Sequence, residues 1–393
     1  MSINFVEEAN QLQEELIARR RDLHQNPELG FEEVRTSAMV ATELARLGME
    51  VQTGIGKTGV IGSLEGDQEG PTVLIRADMD ALPIQEENDT DYRSQVDGKM
   101  HACGHDGHTT IALGVAKLLA AHRDRIAGRV KFVFQPAEEL GQGARAMVKD
   151  GALESPRPDI SLGLHLWNTA PLGQIGIASG PVMAAASDFK ITLKGKGGHA
   201  ALPNLCIDPI VCGAQLVSAL QTISSRNVSP LDTVVVSITQ FHAGTATNII
   251  PEIATIGGTY RTFTTEVRDF TASKIRSIAN SIAEAMGCQC EVVLTDYTRP
   301  VINDPEVSNR VRTVFEDMMP SVTFLDNERT MGAEDVSEFM TDIPGLYFFL
   351  GSANAERGLD YGHHHPKFDF DEAALPMGVA LLCAAIADYV IQD

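Results

Sequence analysis

A chain of 393 residues is longer than one ordinary hydrophobic core supports, so two domains are the starting expectation. With 44% hydrophobic residues and no long charged or low-complexity tract it should be globular throughout. A formal net charge of -22 excludes nucleic acid and anionic membrane as partners, since both would be repelled, but leaves room for a small anionic substrate held by local cations. Apolar residues at helical spacing predict a first helix over Phe5 to Leu23, stopped by Pro27 and Gly30 within His24-Gln25-Asn26-Pro27-Glu28-Leu29-Gly30. A second helix, Glu32 to Leu47, closes at Gly48. Strands follow at Val60 to Leu64 and Thr72 to Ala77, the latter a nearly unbroken apolar run of the kind an internal strand shows. It empties into Asp78-Met79-Asp80-Ala81-Leu82-Pro83, and open α/β sheets place their ligands at such strand ends. Asp80 therefore either orients a ligand group or caps a turn, a role Asp also commonly fills.

The densest chemistry is His101-Ala102-Cys103-Gly104-His105-Asp106-Gly107-His108, which brings a thiol, imidazoles and a carboxylate together with two glycines that let the backbone turn. A thiolate and a neutral imidazole two residues apart can reach one centre, and both donors suit zinc or a similar divalent ion. The apolar run Thr109 to Ala121 predicts a helix, with the cluster in the loop at its start, where the helix N-terminus favours a thiolate and carboxylates.

A third strand, Gly128 to Gln135, delivers the adjacent carboxylates Glu138 and Glu139. Neighbouring side chains on an extended segment diverge, so one can bind metal while the other faces substrate as a proton shuttle; a solvated surface turn is the plainer alternative. Another strand, Ile160 to Leu164, delivers His165. Small residues around Ser179 to Ala186 mark a crossing between domains. Beyond it the order is strand (Phe189 to Leu193), helix (Pro209 to Ser224), two strands (Thr233 to Gln240, Glu252 to Thr262), helix (Val267 to Met286) and strand (Cys290 to Thr298), the order of a ferredoxin-like sandwich. The α/β pattern then resumes with a strand at Gly345 to Leu350, the triplet His363-His364-His365, and a last helix over Glu372 to Ile391. No apolar run reaches membrane-crossing length, and the acidic Met1 to Asn10 does not read as a signal peptide. The cysteines, Cys103, Cys206, Cys212, Cys288, Cys290 and Cys383, are too sparse for a disulfide framework and read as reduced, hence cytoplasmic. Cys288 and Cys290 would share one strand face and pack as small hydrophobes.

These segments resemble the M20 metallopeptidase and amidohydrolase family, in the branch of aminoacylases, hippurate hydrolases and auxin-conjugate hydrolases. The resemblance rests on His24 to Phe31, Arg76 to Pro83, His101 to His108, Gln135 to Glu139 and Gly163 to His165. It continues through Gly195-Lys196-Gly197-Gly198-His199-Ala200, Thr247 to Pro251, Met331 to Asp335 and His364 to Phe368, in family order over nearly the whole chain. It implies an α/β zinc-peptidase-like catalytic domain, a mixed sheet flanked by helices, over residues 1–183 and 299–393. It also implies an inserted ferredoxin-like α+β lid and dimerisation domain over 184–298. Two divalent ions per subunit, zinc, manganese, nickel or cobalt, would be held by Cys103, His105, Glu139, His165 and His364, with Cys103 bridging. Glu138 would be the general base and acid working on metal-activated water. His199 would reach the site from the lid, often the partner subunit's, and donate to the tetrahedral oxyanion. Asn248 and Arg261 would contact the substrate carboxylate, or serve structure only, and Asp80 would support the ligands.

The implied reaction is hydrolysis of an N-acyl amino acid to a carboxylic acid and a free amino acid, by a homodimer. A dipeptidase or exopeptidase on the same scaffold is the first alternative, and a non-catalytic metal-binding protein the second. Asn204, where a histidine often follows the lid proline, and Val336, in place of a common phenylalanine, bear on the shape of the substrate pocket.

Overall fold

The computed structural model describes residues 3–391. In chain order, α1 (Phe5–Gln11), α2 (Gln13–Gln25) and α3 (Val34–Arg46) precede β1 (Glu50–Ile55), β2 (Gly59–Glu65) and β3 (Gln68–Asp78). Then come α4 (His105–Ala121), β4 (Ala127–Gln135), α5 (Gly143–Lys149), β5 (Ile160–Pro171) and β6 (Gln174–Ile177). The middle of the chain forms β7 (Gly180–Met183), β8 (Ala185–Lys194), β9 (Gly198–His199), α6 (Pro209–Leu220), β10 (Val234–Ala243), β11 (Ile249–Ile250), β12 (Ile253–Thr262), α7 (Thr265–Ala285) and β13 (Gln289–Thr298). It closes with β14 (Val301–Asn303), α8 (Pro305–Met318), β15 (Thr323–Asp326), β16 (Gly345–Ala353) and α9 (Ala374–Val390). Two compact units result: Met1–Gly180 with Ile302–Glu328 and Asp335–Asp393, and Pro181–Val301 with Arg329–Glu334.

The first unit is built on a mixed sheet of order β1-β2-β4-β3-β5-β16-β6-β15. Its centre is parallel, β4 and β5 flanking β3 and β16 following β5, and β1 and β2 add an antiparallel edge. Central strands covered on both faces must be apolar throughout, and Val73, Ile75, Phe132, Phe134, Leu346 and Phe348 are all buried in one core. That parallel centre positions the site: β3 and β4 end on the same edge, in register at Asp78 and Gln135, and the residues that follow each strand carry the carboxylates.

The second unit is an antiparallel sheet of order β10-β12-β8-β13. The helices α6 and α7 connect its strands as β-α-β-β-α-β, the ferredoxin-like order, and pack on it through Phe189, Ile191, Leu216, Leu220, Ile275 and Ala279. β10 is an edge strand that leaves Val235 and Phe241 exposed.

Several expected boundaries move. The first helix is two, because the chain turns at Leu12 between α1 and α2 without a glycine or proline to announce it. The helix expected over Pro209 to Ser224 ends at Leu220, and a single π-type turn follows over Ile223–Asn227. α4 begins at His105 rather than Thr109, so half of the expected metal loop is its first turn. β5 runs on to Pro171, so His165 lies inside a strand and not beyond its end. Cys288 precedes β13 and does not share its pleat with Cys290.

Candidate functional site

Gly104 caps α4 at φ +89, a left-handed conformation that glycine adopts without strain, and this turn separates Cys103 from His105. Cys103, His105 and His165 offer ligand atoms within reach of one another, and so do Cys103, Glu139 and His364. Cys103 is common to both groups, its sulfur 3.7 Å from His165 Nε2. His105, Glu138 and Glu139 form a further such group.

Ring nitrogens sort the histidines. His105 donates its Nδ1 proton to the Asp80 carbonyl at 2.9 Å, and His165 donates its own to the Leu166 carbonyl at 2.7 Å. Each thereby leaves Nε2 as the ring nitrogen available to a metal. His108 has no such nitrogen left: Nδ1 donates to Asp78 at 2.7 Å and Nε2 accepts the Leu166 N–H at 2.9 Å. His101 is buried beside His24, with neither nitrogen partnered. In the C-terminal triplet, His363 donates Nε2–H to the Leu166 carbonyl at 2.9 Å and packs on Trp167. His365 accepts the Lys367 N–H and stacks on Tyr361. His364 is the one that turns toward the cluster, its Nε2 3.2 Å from Glu139 Oε1, from a backbone at φ +66 tied by its N–H to the Ala102 carbonyl.

The carboxylates are placed with equal economy. Asp80 is buried and accepts the N–H of Glu138 on one oxygen and that of Glu139 on the other, each at 3.1 Å. Burial pushes its carboxyl up, and Glu139 and Asp78 nearby add to the rise. Asp78, held by Arg76 at 2.7 Å and by His108, stays well below the usual range although buried, because cationic and imidazole groups surround it. Sequence reasoning gave Asp78, Arg76 and His108 no role; their position in the quoted motifs was the available signal.

A metal fits this arrangement. His105 Nε2 is a buried atom without a hydrogen-bond partner, and Glu139 Oε1 is buried with the His364 imidazole 3.2 Å away. His105 Nε2 faces Asp78, Glu138 and Glu139 at 3.8, 3.9 and 4.0 Å, too far for hydrogen bonds and near enough to share a cation. Burial disfavours charge on His105, yet Asp78, Asp80 and Glu139 push its imidazole up to about 10, a proton occupying the role a divalent ion would take.

The remaining predicted residues lie in the second unit. His199 pairs with Ile249 across β9 and β11, and the Asn248 carbonyl accepts the Ala200 N–H at 3.1 Å, which places Asn248 diagonally across from His199. His199 Nδ1 accepts the Ala201 N–H at 3.1 Å, so the proton sits on Nε2, exposed and free to donate. Arg261 is half-buried opposite Ala186 near the start of β8, where the Asp188 charge partly offsets the cost of its burial.

A parallel-centred sheet with thiol, imidazole and carboxylate donors gathered beside it is the framework of a metal-dependent hydrolase acting on C–N bonds. The chain matches Peptidase family M20/M25/M40 over residues 74–388 and belongs to that family. It is 40% identical to thermostable carboxypeptidase 2 of Saccharolobus solfataricus, over 97% of this chain and 96% of that one. It is 39% identical to an IAA-amino acid hydrolase of Arabidopsis thaliana, over 96% and 86%. It is 41% identical to N-acetylcysteine deacetylase of Bacillus subtilis, over 92% and 93%. Among solved structures, a dinuclear metal binding peptidase of the M20 family from Bacillus subtilis superposes with a TM-score of 0.84 at 36% identity, covering 96% of this chain and 99% of that one.

Proposed function

We propose that this protein is an amidohydrolase that cleaves the amide of N-acyl amino acids, releasing a carboxylic acid and a free amino acid. The observation that carries the reading is Glu138: it stands beside the candidate donors, on a turn whose two amides Asp80 holds, with its carboxylate 3.9 Å from His105 Nε2. Two divalent ions would be held by Cys103, His105, Glu139, His165 and His364, with Cys103 shared, and zinc, manganese, nickel or cobalt would suit this donor set. When bound they would supply Lewis-acid polarisation of the scissile carbonyl and lower the pKa of the attacking water. Glu138 accepts the water's proton and returns it to the departing amine. His199, with Nε2–H as donor, suits the oxyanion, while Asn248 on the neighbouring segment and Arg261, with Asp188 as a nearby charge, suit the substrate carboxylate or a structural role.

The relatives' names bracket the substrate, since a carboxypeptidase and a hydrolase of amino-acid conjugates both release an amino acid from an acyl group. The peptidase reading differs in requiring room for a charged amine on the acyl side. Residues 184–298, which lie within the second unit, would act as the lid and as the contact of a homodimer, a reading supported by the exposed edge of β10 with Val235 and Phe241. The cysteines are all unbridged thiols, in keeping with a reducing, cytoplasmic setting.

The test is amino-acid release from N-acetyl, N-benzoyl and indole-acetyl amino acids alongside dipeptides, with metal content measured on the same samples. Glu138→Gln should keep its metal and lose about 10²- to 10⁴-fold in kcat, the usual worth of a positioned proton-transfer group. Undiminished turnover in that variant would remove Glu138 from the mechanism. Turnover confined to dipeptides would move the protein to the peptidase reading.

A further inference from the structure

Glu33 is completely buried and stands at the N-cap position of α3, yet its side chain makes no capping bond there. Another acid does that work: Glu28 accepts the N–H of Arg35 at 2.9 Å and of Thr36 at 2.8 Å. Released from its own helix, the Glu33 carboxylate reaches the chain after β4, where Oε1 accepts the Ala137 N–H at 2.8 Å and Oε2 the Thr58 hydroxyl at 2.5 Å. Ala137 has φ +50, a left-handed conformation that is strained for a residue bearing a Cβ. Gly143 approaches this turn closely: a Cβ there would lie 1.5 Å from the Pro136 carbonyl oxygen. Three successive N–H groups, of Ala137, Glu138 and Glu139, are thus all taken by two buried carboxylates, Glu33 and Asp80.

We propose that Glu33 is a positioning residue for proton transfer: by holding the Ala137 N–H it fixes the left-handed turn that aims Glu138 at the substrate side of the cluster. The proposal rests on Glu138 being the proton-transfer group. Asp80 holds the peptide after the strained residue and Glu33 the peptide before it. Glu33 fixes the upstream end and links it, through Thr58, to the loop before β2.

The experiment compares Glu33→Met, Glu33→Gln and Glu33→Met with Ala137→Gly, each metal-loaded, for kcat, KM, the pH profile of kcat, metal content and hydrogen exchange over residues 135–142. Glu33→Met should lose roughly ten- to a hundredfold in kcat, the scale of a misplaced catalytic group, with KM within about threefold and metal retained. Its acid limb should move and exchange in the turn should rise. Glu33→Gln keeps an acceptor for Ala137 and a donor for Thr58 and should stay near the parent. Ala137→Gly makes the left-handed turn accessible without the tether and should restore part of the loss. Full kcat in folded Glu33→Met, with an unchanged pH profile and unchanged exchange, would overturn the proposal. So would a loss confined to thermal stability or metal content. Glu138→Gln run alongside separates the two ideas: if that variant is inactive while Glu33→Met is fully active, positioning fails alone, and if Glu138→Gln is active the reading beneath it fails as well.

Discussion

His101 is buried beside His24 with neither ring nitrogen bonded, and burial pushes its imidazole down to about 3. In the folded protein it is therefore neutral, while in the unfolded chain it takes a proton below about 6.5. A histidine depressed in this way makes the unfolded state bind more protons, so its contribution to stability is lost as pH falls from about 6.5 toward 3. His24 works in the opposite sense. Burial opposes its charge, but Asp106 and Glu86 raise its pKa, so its stabilisation is present below about 6.5 and lost as pH rises through the folded value. Urea unfolding of the metal-loaded protein, followed by the fluorescence of the single tryptophan, Trp167, isolates the first of these. Between pH 7 and pH 5 the parent should lose about 2 kcal/mol more than His101→Leu does. Equal losses would mean that His101 is not held neutral.

At the scale of elements, the start of α4 is the part that must not move, since its first turn carries His105. It is clamped from α2. Asp106 accepts the Gly107 N–H on one oxygen, and Arg20 Nε and His24 Nδ1 on the other, both at 2.8 Å. The fully buried Arg20 also reaches Asp369 at 2.7 Å and Glu372 at 3.4 Å, ahead of α9. Arg20→Met keeps the stem and removes the charge, leaving Asp106 and Asp369 buried without their cation. It should cost about 3–5 kcal/mol, read as a lowered urea midpoint of Trp167 fluorescence. A change within experimental error would show that water replaces the guanidinium. The clamp was invisible in the sequence for a physical reason: Arg20 lies on a helix predicted from apolar spacing, and its partners are 86 and 349 residues away. Helices and central strands were legible because their burial imposes a period or an unbroken apolar run, as in β3 and α9. The division between α1 and α2 was not, because Leu12 keeps right-handed helical angles and carries no breaker. In the site, the donor types were legible from their crowding in one stretch. Which histidine has a nitrogen to spare was not, since Asp78 and Leu166 decide it for His108 from other strands.

On the scale of the whole molecule, two hydrophobic cores share no residue: one under the eight-stranded sheet, the other between α6, α7 and the four-stranded sheet. The crowded carboxylates Asp78, Asp80, Glu138 and Glu139 belong to the first unit alone, so the work of a bound cation in offsetting their repulsion falls on that unit. A ligand that binds only the folded state stabilises by about 4 kcal/mol at a thousandfold excess over its Kd, and removing it withdraws that much. Chelation should therefore raise hydrogen exchange in β4 and β5 and lower the urea midpoint of Trp167, while β8 and β12 exchange as before. Returning zinc or manganese should reverse the change. Loss of protection in both units together would mean that the two cores unfold as one. Unchanged exchange in β4 and β5 would mean that the carboxylates are stable without a cation.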